Sequence, residues 1–146
     1  MPMVLEDVAN VLGIKGRKHR LASPFEVIGY IEHGFPIAAL ERVSKFVAPS
    51  DVNFKYQIVS RPTLDRRRKS QSKRLSADES ERLARIAKVW TFAQEVWGND
   101  QDARAFLFRA HMMLEGRTPM EVALKTDMGA RLVEDILGRL KYGSAA

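Results

Sequence analysis

Apolar residues recur along this chain at the spacing of a helix, and no segment alternates apolar and polar residues as a half-buried strand would. Prolines, glycines and short polar residues mark where the apolar stripes of the first half begin and end. They predict four short helices. The first lies between Ser23-Pro24 and Gly34, and the second between Pro36 and Pro49. The third begins at Ser50-Asp51, and the fourth runs from Ser60 through Lys69.

The second half carries longer stripes and two capping boxes, in which a hydroxyl and a carboxylate each bind a backbone N–H at a helix start. Ser76-Ala-Asp-Glu79 precedes the longest stripe, which includes Trp90 and Trp97 and stops at Gly98. Thr118-Pro-Met-Glu121 is the second box. We therefore predict an all-α fold whose later helices run from 77 to 97, from about 100 to 115, from 119 to 124, and from a cap at Asp127 to Tyr142.

Three regions follow from this pattern. Residues 1–22 lack sustained periodicity and contain Gly13-Ile-Lys-Gly16, although Val4 through Leu12 could form one short amphipathic helix. We predict a flexible arm over residues 1–23, a helical domain over 24–75 and a second helical domain over 76–146. The polar stretch 70–74 is the predicted joint.

Composition bounds the class of protein. The chain has 146 residues of which 45% are apolar, enough for a packed core in one domain or two small ones. It has no cysteine, so disulfides and thiolate metal sites are excluded and a cytoplasmic location is expected. The first thirty residues mix charges among short apolar stretches, and we predict neither a signal peptide nor a membrane span.

Positive charge is concentrated in the first half. Residues 1–75 hold 14 Lys/Arg against 7 Asp/Glu, whereas residues 76–146 hold 10 against 11. Between Arg61 and Arg74 there are seven basic residues and one acid, Asp65. Such a run indicates a nucleic-acid partner when it lies on a folded surface, and a solvated, disordered linker when it does not.

Residues 50–69 favour the folded alternative, because a short helix, a tight turn and a second helix with a polar face fit within about twenty residues, as in a helix-turn-helix. Leu64 would face inward, and polar side chains would face double-stranded DNA. A merely solvated basic helix is the alternative. The predicted DNA-binding residues are Arg61, Thr63, Arg66, Arg67, Arg68 and Lys69.

Catalytic and metal sites are not predicted. His19, His33 and His111 fall in different segments, without a second ligand at zinc-site spacing and without a readable Ser/His/Asp arrangement. Trp90 and Trp97, seven residues apart, could form a base-stacking platform, but this spacing favours a core role. We expect no enzymatic activity and no cofactor.

Several longer motifs, in order, resemble the Xre/MbcA/ParS antitoxin family, and the resemblance extends from about residue 24 to the end. In the first half they are Ser60-Arg-Pro-Thr-Leu-Asp-Arg-Arg67 and Leu75-Ser-Ala-Asp-Glu-Ser-Glu-Arg-Leu-Ala-Arg-Ile86. In the second half they are Ala93–Gly98, Leu114–Pro119, Gly129–Glu134 and Leu137–Gly143.

The resemblance implies an Xre-like helix-turn-helix domain followed by a helical toxin-binding domain. It further implies a type II toxin-antitoxin system, a RES-domain toxin that degrades NAD, a homodimer, and repression of the protein's own operon through operator DNA. Pro62 is a departure, because proline at the start of the recognition helix removes an N–H that could bind phosphate. The alternative is a stand-alone helix-turn-helix regulator whose second half only dimerises.

With the family supplying a toxin, the end of the last helix becomes the candidate inhibitory segment. A helix that ends at Tyr142-Gly143 can project a short tail into a cleft, and a tyrosine is a favoured interface anchor. A frayed terminus is the alternative. The predicted toxin-binding residues are Arg131, Glu134, Arg139, Lys141, Tyr142, Gly143 and Ser144.

Overall fold

A computed structural model describes residues 2–14 and 23–143, and over these residues the protein is helical, with one isolated antiparallel bridge between Pro36 and Arg74. This confirms the predicted all-α class. The chain divides into two compact units, residues 1–87 and 88–146. The helices are α1 (Pro2–Leu12), α2 (Pro24–His33), α3 (Ile37–Val47), α4 (Arg61–Lys69), α5 (Ala77–Trp97), α6 (Asp100–Leu107), α7 (Pro119–Lys125) and α8 (Asp127–Tyr142).

The N-terminal segment differs from the predicted flexible arm over residues 2–14. Residues 2–12 form α1, which packs on α3 and buries Val8, Val11 and Leu12. Arg42 of α3 also donates from Nε to the carbonyl of Asn10 at 3.1 Å. The apolar spacing was present in the sequence, but only the partner face on α3 makes burial of this short helix favourable.

Capping and apolar spacing explain the helices of the first unit. The Ser23 hydroxyl accepts a hydrogen bond from the Glu26 N–H at 3.2 Å, and Pro24 follows it at the first helical position, as predicted. The third predicted helix is only a 3₁₀ turn, Phe54–Gln57. Its single apolar anchor is Phe54, which is fully buried. The core of this unit also includes Phe35, Leu40, Val43, Val47, Ile58 and Leu64.

Gly34 marks a close approach between two backbone segments. It has a φ of +89°, and a Cβ placed on it would lie 2.0 Å from the carbonyl oxygen of Leu75. Directly after Gly34, the Leu75 N–H donates to the Phe35 carbonyl at 2.9 Å and the Ile37 N–H donates to the Lys73 carbonyl at 3.1 Å. Glycine is required here both by the positive φ and by the lack of space.

The first capping box is present. The Glu79 N–H donates to the Ser76 hydroxyl at 3.1 Å, and the Ser76 N–H donates to the Glu79 carboxylate at 2.8 Å. The predicted domain boundary at residue 75 differs from the structure, because residues 76–87 belong to the first compact unit. Ser80, for example, is fully buried and accepts a hydrogen bond from the Phe35 N–H at 2.9 Å.

The two tryptophans of α5 have different environments. Trp90 is fully buried, as predicted, and the Arg104 guanidinium lies 5.3 Å from its ring centroid. Trp97, in contrast, is 40% exposed at the end of the helix, so its assignment to the core is wrong. Its ring lies 5.9 Å from that of Phe106.

The helix predicted from Asp100 to Glu115 ends at Leu107. A 3₁₀ turn, Met112–Leu114, follows instead, and the left-handed residue Glu115 closes it. The His111 N–H donates to the Arg117 carbonyl at 3.0 Å, which takes this N–H out of any helical ladder. Ala103, Leu107 and Leu114 are buried in this segment, whereas Ala110 is exposed.

The last two helices pack against each other. Thr118 caps α7 as predicted, accepting from the Glu121 N–H at 3.1 Å. The cap of α8 is Thr126, which accepts from the Gly129 N–H at 2.8 Å, and not the predicted Asp127. A Cβ on Gly129 would lie 2.2 Å from the Val122 carbonyl oxygen, so glycine lets α7 and α8 come close. None of the helices in the described ranges has the length and apolarity to cross a bilayer.

We expect Trp90→Ala to lower the free energy of unfolding by about 3–5 kcal/mol, because it removes a fully buried aromatic side chain and leaves a cavity. Urea denaturation at neutral pH measures this loss. Trp97→Ala is the matched control on the same helix, and its loss should be smaller because the Trp97 side chain is 40% exposed. Equal losses for the two variants would contradict the assignment of Trp90 to the core.

Candidate functional site

Helix α4 presents a row of side chains on the face opposite its buried residue. Leu64 is fully buried. Because successive helical residues are rotated by about 100°, Pro62, Arg66 and Lys69 lie on the far side of the helix from Leu64. Arg66 and Lys69 are exposed, and their side chains have no hydrogen-bond or ion-pair partner among the described residues. These two cations are therefore available to an external anion.

Arg67 is partly exposed and forms a two-point ion pair with Glu79. Its Nε and Nη2 donate to the two carboxylate oxygens of Glu79 at 3.1 and 3.2 Å. This hydrogen bond raises the pKa of Arg67 above its usual value. Glu79 also accepts from the Ser76 N–H, so one carboxylate both caps α5 and fixes α4. The structure thus engages Arg67, one of the predicted DNA-binding residues, in positioning the helix.

Arg68 is held on the other flank of α4 by Glu41. Its Nη2 lies 2.8 Å from Glu41 Oε1, and its Nη1 lies 3.7 Å from Asp65. Lys55, in the 3₁₀ turn, also donates to Glu41 at 3.1 Å. Burial raises the pKa of Glu41, but the hydrogen bonds from Lys55 and Arg68 outweigh it and the net pKa is lowered. Glu41 therefore links α3, the 3₁₀ turn and α4.

The remaining two predicted DNA-binding residues lie at the start of α4. The Arg61 guanidinium stacks 4.1 Å from the Tyr56 ring centroid and donates to Asn53 at 3.3 Å, while the residue stays exposed. The Ser60 hydroxyl donates to the Thr63 hydroxyl at 2.9 Å. By the same rotation, Arg61 lies on the flank of α4 that carries Arg68, and Thr63 lies on the flank that carries Arg67.

Sequence reasoning missed the two carboxylates that hold α4. The sequence did indicate which arginines face inward, because Arg67 and Arg68 follow Leu64 by three and four residues and therefore flank the buried face of α4. The identity of their partners was not readable, since Glu41 is 27 residues from Arg68 and Glu79 is 12 residues from Arg67.

The predicted toxin-binding residues up to Gly143 are spread along α8 from Arg131 to its end, and three of them form ion pairs within the unit. Arg131 pairs with Asp127 at 3.2 Å and Glu134 pairs with Lys88 at 3.5 Å. Arg139 is exposed, with no side-chain partner among the described residues. These residues form no single cluster.

The end of α8 is anchored rather than loose as far as residue 143. Lys141 forms an ion pair with Glu95, which raises the pKa of Lys141. Tyr142 is 61% exposed, and Gly143 ends the helix with a φ of +85°. Ser144 lies outside the described residues.

A cavity of about 340 Å³, which sequence reasoning did not find, lies in the second unit. Trp97, Phe106 and His111 form its aromatic wall, with ring centroids 5.9 Å apart from Trp97 to Phe106 and from Phe106 to His111. Its other lining residues include Arg109, Ala110 and Leu140, and we call it the aromatic cavity. Leu140, in the last turn of α8, is 49% exposed. In the described part of the chain, no three His, Asp or Glu side chains come close enough to hold a metal ion.

Two family models match the chain. The antitoxin Xre-like helix-turn-helix domain matches residues 26–88, which contain α4 and its two carboxylate partners. The antitoxin Xre/MbcA/ParS C-terminal toxin-binding domain matches residues 92–143, which contain the aromatic cavity and the described end of α8.

A relative covers most of the chain. The protein named "Antitoxin Xre" from Pseudomonas putida is 32% identical over 123 residues, which are 84% of this chain and 76% of that protein. The chain belongs to the Xre/MbcA/ParS antitoxin family. Proteins of the same name from Photorhabdus laumondii and Yersinia enterocolitica are 32% and 31% identical over 77 residues, about half of each chain.

The antitoxin thus combines a helix-turn-helix domain with a toxin-binding domain, as the sequence motifs implied. The matched regions meet between residues 88 and 92, close to the division of the compact units at 87 and 88. All six predicted DNA-binding residues fall in the first match. The predicted toxin-binding residues up to Gly143 fall in the second.

We expect the antitoxin to lose stability in acid partly through Glu79 and Glu41. Burial raises the pKa of Glu79, but hydrogen bonds from Arg67 and Ser76 outweigh it and the net pKa is lowered. A carboxylate with a lowered folded pKa stabilises the protein above its unfolded pKa, and this stability is lost as pH falls through the folded pKa. Urea denaturation from pH 7 to pH 3 measures this loss.

Glu79→Gln should lower the free energy of unfolding by about 1–3 kcal/mol at pH 7 and flatten its decrease toward pH 3. Glu81→Gln, two residues along the same helix, removes an exposed carboxylate without an ion pair among the described residues and is the control. A Glu79→Gln profile parallel to that of the unaltered antitoxin would rule out this pair as a source of the pH dependence.

Proposed function

We propose that this antitoxin neutralises a RES-domain toxin that degrades NAD, in a type II system, and represses its own operon by binding operator DNA as a homodimer. It acts in the cytoplasm and has no catalytic role of its own. The observation that carries the proposal is the match of one chain to a helix-turn-helix domain over residues 26–88 and a toxin-binding domain over residues 92–143.

The geometry of α4 supports DNA binding. Arg66 and Lys69 face outward without partners among the described residues, and Arg61 and Thr63 lie in the first turn of the same helix. Arginine and lysine side chains neutralise phosphates, and arginine can also bind guanine with two hydrogen bonds. Two carboxylates on opposite flanks fix the helix, so its outward row needs little reordering when DNA binds.

Exposed apolar residues on α2 support self-association. Phe25 is 83% exposed and Ile28, three residues later on the same helix, is 47% exposed. A second copy could cover this apolar face, and a two-fold dimer would then present two copies of α4 to neighbouring DNA half-sites.

The end of α8 supports a role in inhibiting the toxin. Tyr142 is 61% exposed and follows Lys141, which Glu95 holds in place. We propose that Arg139 and the residues after Leu140 enter the mouth of the toxin's NAD pocket. Tyr142 would serve as the anchor, because a tyrosine combines an apolar ring with a polar tip.

Replacing Arg66 and Lys69 together by alanine should weaken binding to duplex DNA from the region upstream of the antitoxin gene. If each contacts one phosphate, the slope of log affinity against log salt should become less steep by about 1.8. Fluorescence anisotropy across a salt series measures the slope. The control pair Arg117→Ala and Lys125→Ala removes the same charge from the second unit, and an unchanged slope in the α4 variant would exclude its outward row as the phosphate contact.

Co-expression with the protein encoded beside the antitoxin gene tests neutralisation. We expect that protein alone to stop growth and deplete cellular NAD, and co-expression of the antitoxin to restore both. Growth arrest without NAD loss would exclude the RES activity, and a neighbour without toxicity would favour a stand-alone regulator.

The same assay tests the tail with two truncations. A chain ending at Leu140 should lose most of the rescue, whereas a chain ending at Gly143, which keeps the Lys141–Glu95 ion pair and Tyr142, should keep more of it. Both truncated chains should bind DNA normally. Full rescue by the chain ending at Leu140 would show that the tail is dispensable.

A further inference from the structure

The aromatic cavity is formed before any partner binds, because backbone hydrogen bonds hold its wall. The His111 N–H donates to Arg117, the His111 carbonyl accepts from the Gly116 N–H at 3.2 Å, and its Nδ1 accepts from the Met113 N–H at 3.1 Å. Leu114 is buried, at 4% exposure, and anchors the loop that carries His111 in the core. A preformed concave site loses little entropy when it is filled.

The surroundings of the cavity have the composition of a protein interface. Trp97 is 40% exposed, and Met112 and Met113, next to the lining residue His111, are 93% and 53% exposed. Aromatic, methionine and arginine side chains are the types enriched at the cores of interfaces. Large exposed apolar groups gathered in this way mark an interaction surface rather than ordinary surface scatter.

Charge at the cavity specifies the chemistry of the occupant. Asp102 also lines the cavity and keeps its negative charge while it accepts a hydrogen bond from the Asn99 side chain at 2.9 Å. Arg109 lines the cavity, is exposed, and has no side-chain partner among the described residues. The cavity therefore offers an apolar recess beside an unpaired guanidinium, which a carboxylate would match.

We propose that the aromatic cavity is the anchor site for the toxin, taking one bulky apolar side chain of the toxin while a neighbouring carboxylate of the toxin pairs with Arg109. This inference rests on the proposed function. Two observations favour the toxin over a second copy of this chain. The cavity lies wholly within the matched toxin-binding domain, residues 92–143. Leu140 lines it, so the tail that we propose to inhibit the toxin begins at its edge.

Two glutamate substitutions test the anchor in the full-length antitoxin. Arg109→Glu reverses the charge that would meet the carboxylate, and Ala110→Glu places a charge in the apolar recess. Both positions are exposed and lie outside helices, so the fold should persist. The controls are Lys125→Glu, in the same unit, and Ala38→Glu, on the exposed surface of α3. Melting temperatures close to that of the unaltered chain establish that each variant is folded.

The probe is the purified product of the neighbouring gene, with Kd measured by calorimetry and self-association measured by sedimentation. We expect each test variant to raise Kd by about tenfold or more, as for an interface hot spot, and each control to change it by less than about twofold.

The outcomes separate the two proposals. Absence of binding by the unaltered chain would overturn the proposed function and this inference with it. Binding by the unaltered chain with no change in Arg109→Glu and Ala110→Glu would overturn the anchor site alone. Loss of self-association in these variants, with Kd for the neighbouring protein unchanged, would assign the cavity to a second copy and also overturn it.

Discussion

The first unit is held together by side chains from the first two turns of α5. Glu79 binds Arg67 of α4, Ser80 accepts from the Phe35 N–H ahead of α3, and Arg82 donates to the Ile58 carbonyl at 2.6 Å after the 3₁₀ turn. Leu83 and Ile86, fully buried, supply the apolar contact beneath these bonds. Hydrogen bonds to charged or buried groups are costly to break, so one stretch of helix fixes three other elements.

This arrangement explains why basic residues in one helix have different roles. Arg67 and Arg68 flank the buried face of α4, where a carboxylate on each side neutralises them, whereas Arg66 and Lys69 project from the opposite face. A count of basic residues overstates the number of cations available to DNA. The ion pairs of Arg67 and Arg68 instead set the orientation of α4 and of its outward-facing side chains. A fixed orientation favours contacts that must match the spacing of phosphates.

Local signals predicted much of the fold. The Ser23 cap, the Ser76–Glu79 box and the burial of Leu64 all follow from neighbours within four residues, and the structure has them. The features that the sequence did not predict depend on tertiary contacts. Helix α6 stops early because His111 bonds to Arg117 in a loop, and α1 forms because α3 covers it. The aromatic cavity brings together Trp97 and Leu140, which are far apart in the sequence. The periodicity of apolar residues predicts contacts only within one helix or strand and so could not indicate this site.

The close approach at Gly34 has a consequence for the gene. Every change at the first or second base of a glycine codon encodes either a residue with a Cβ or a stop, and a Cβ at position 34 would lie 2.0 Å from the Leu75 carbonyl oxygen. The genetic code therefore offers no conservative missense neighbour at this codon. In a cell that carries an active toxin, such alleles would expose their host to it, so purifying selection should hold this position fixed.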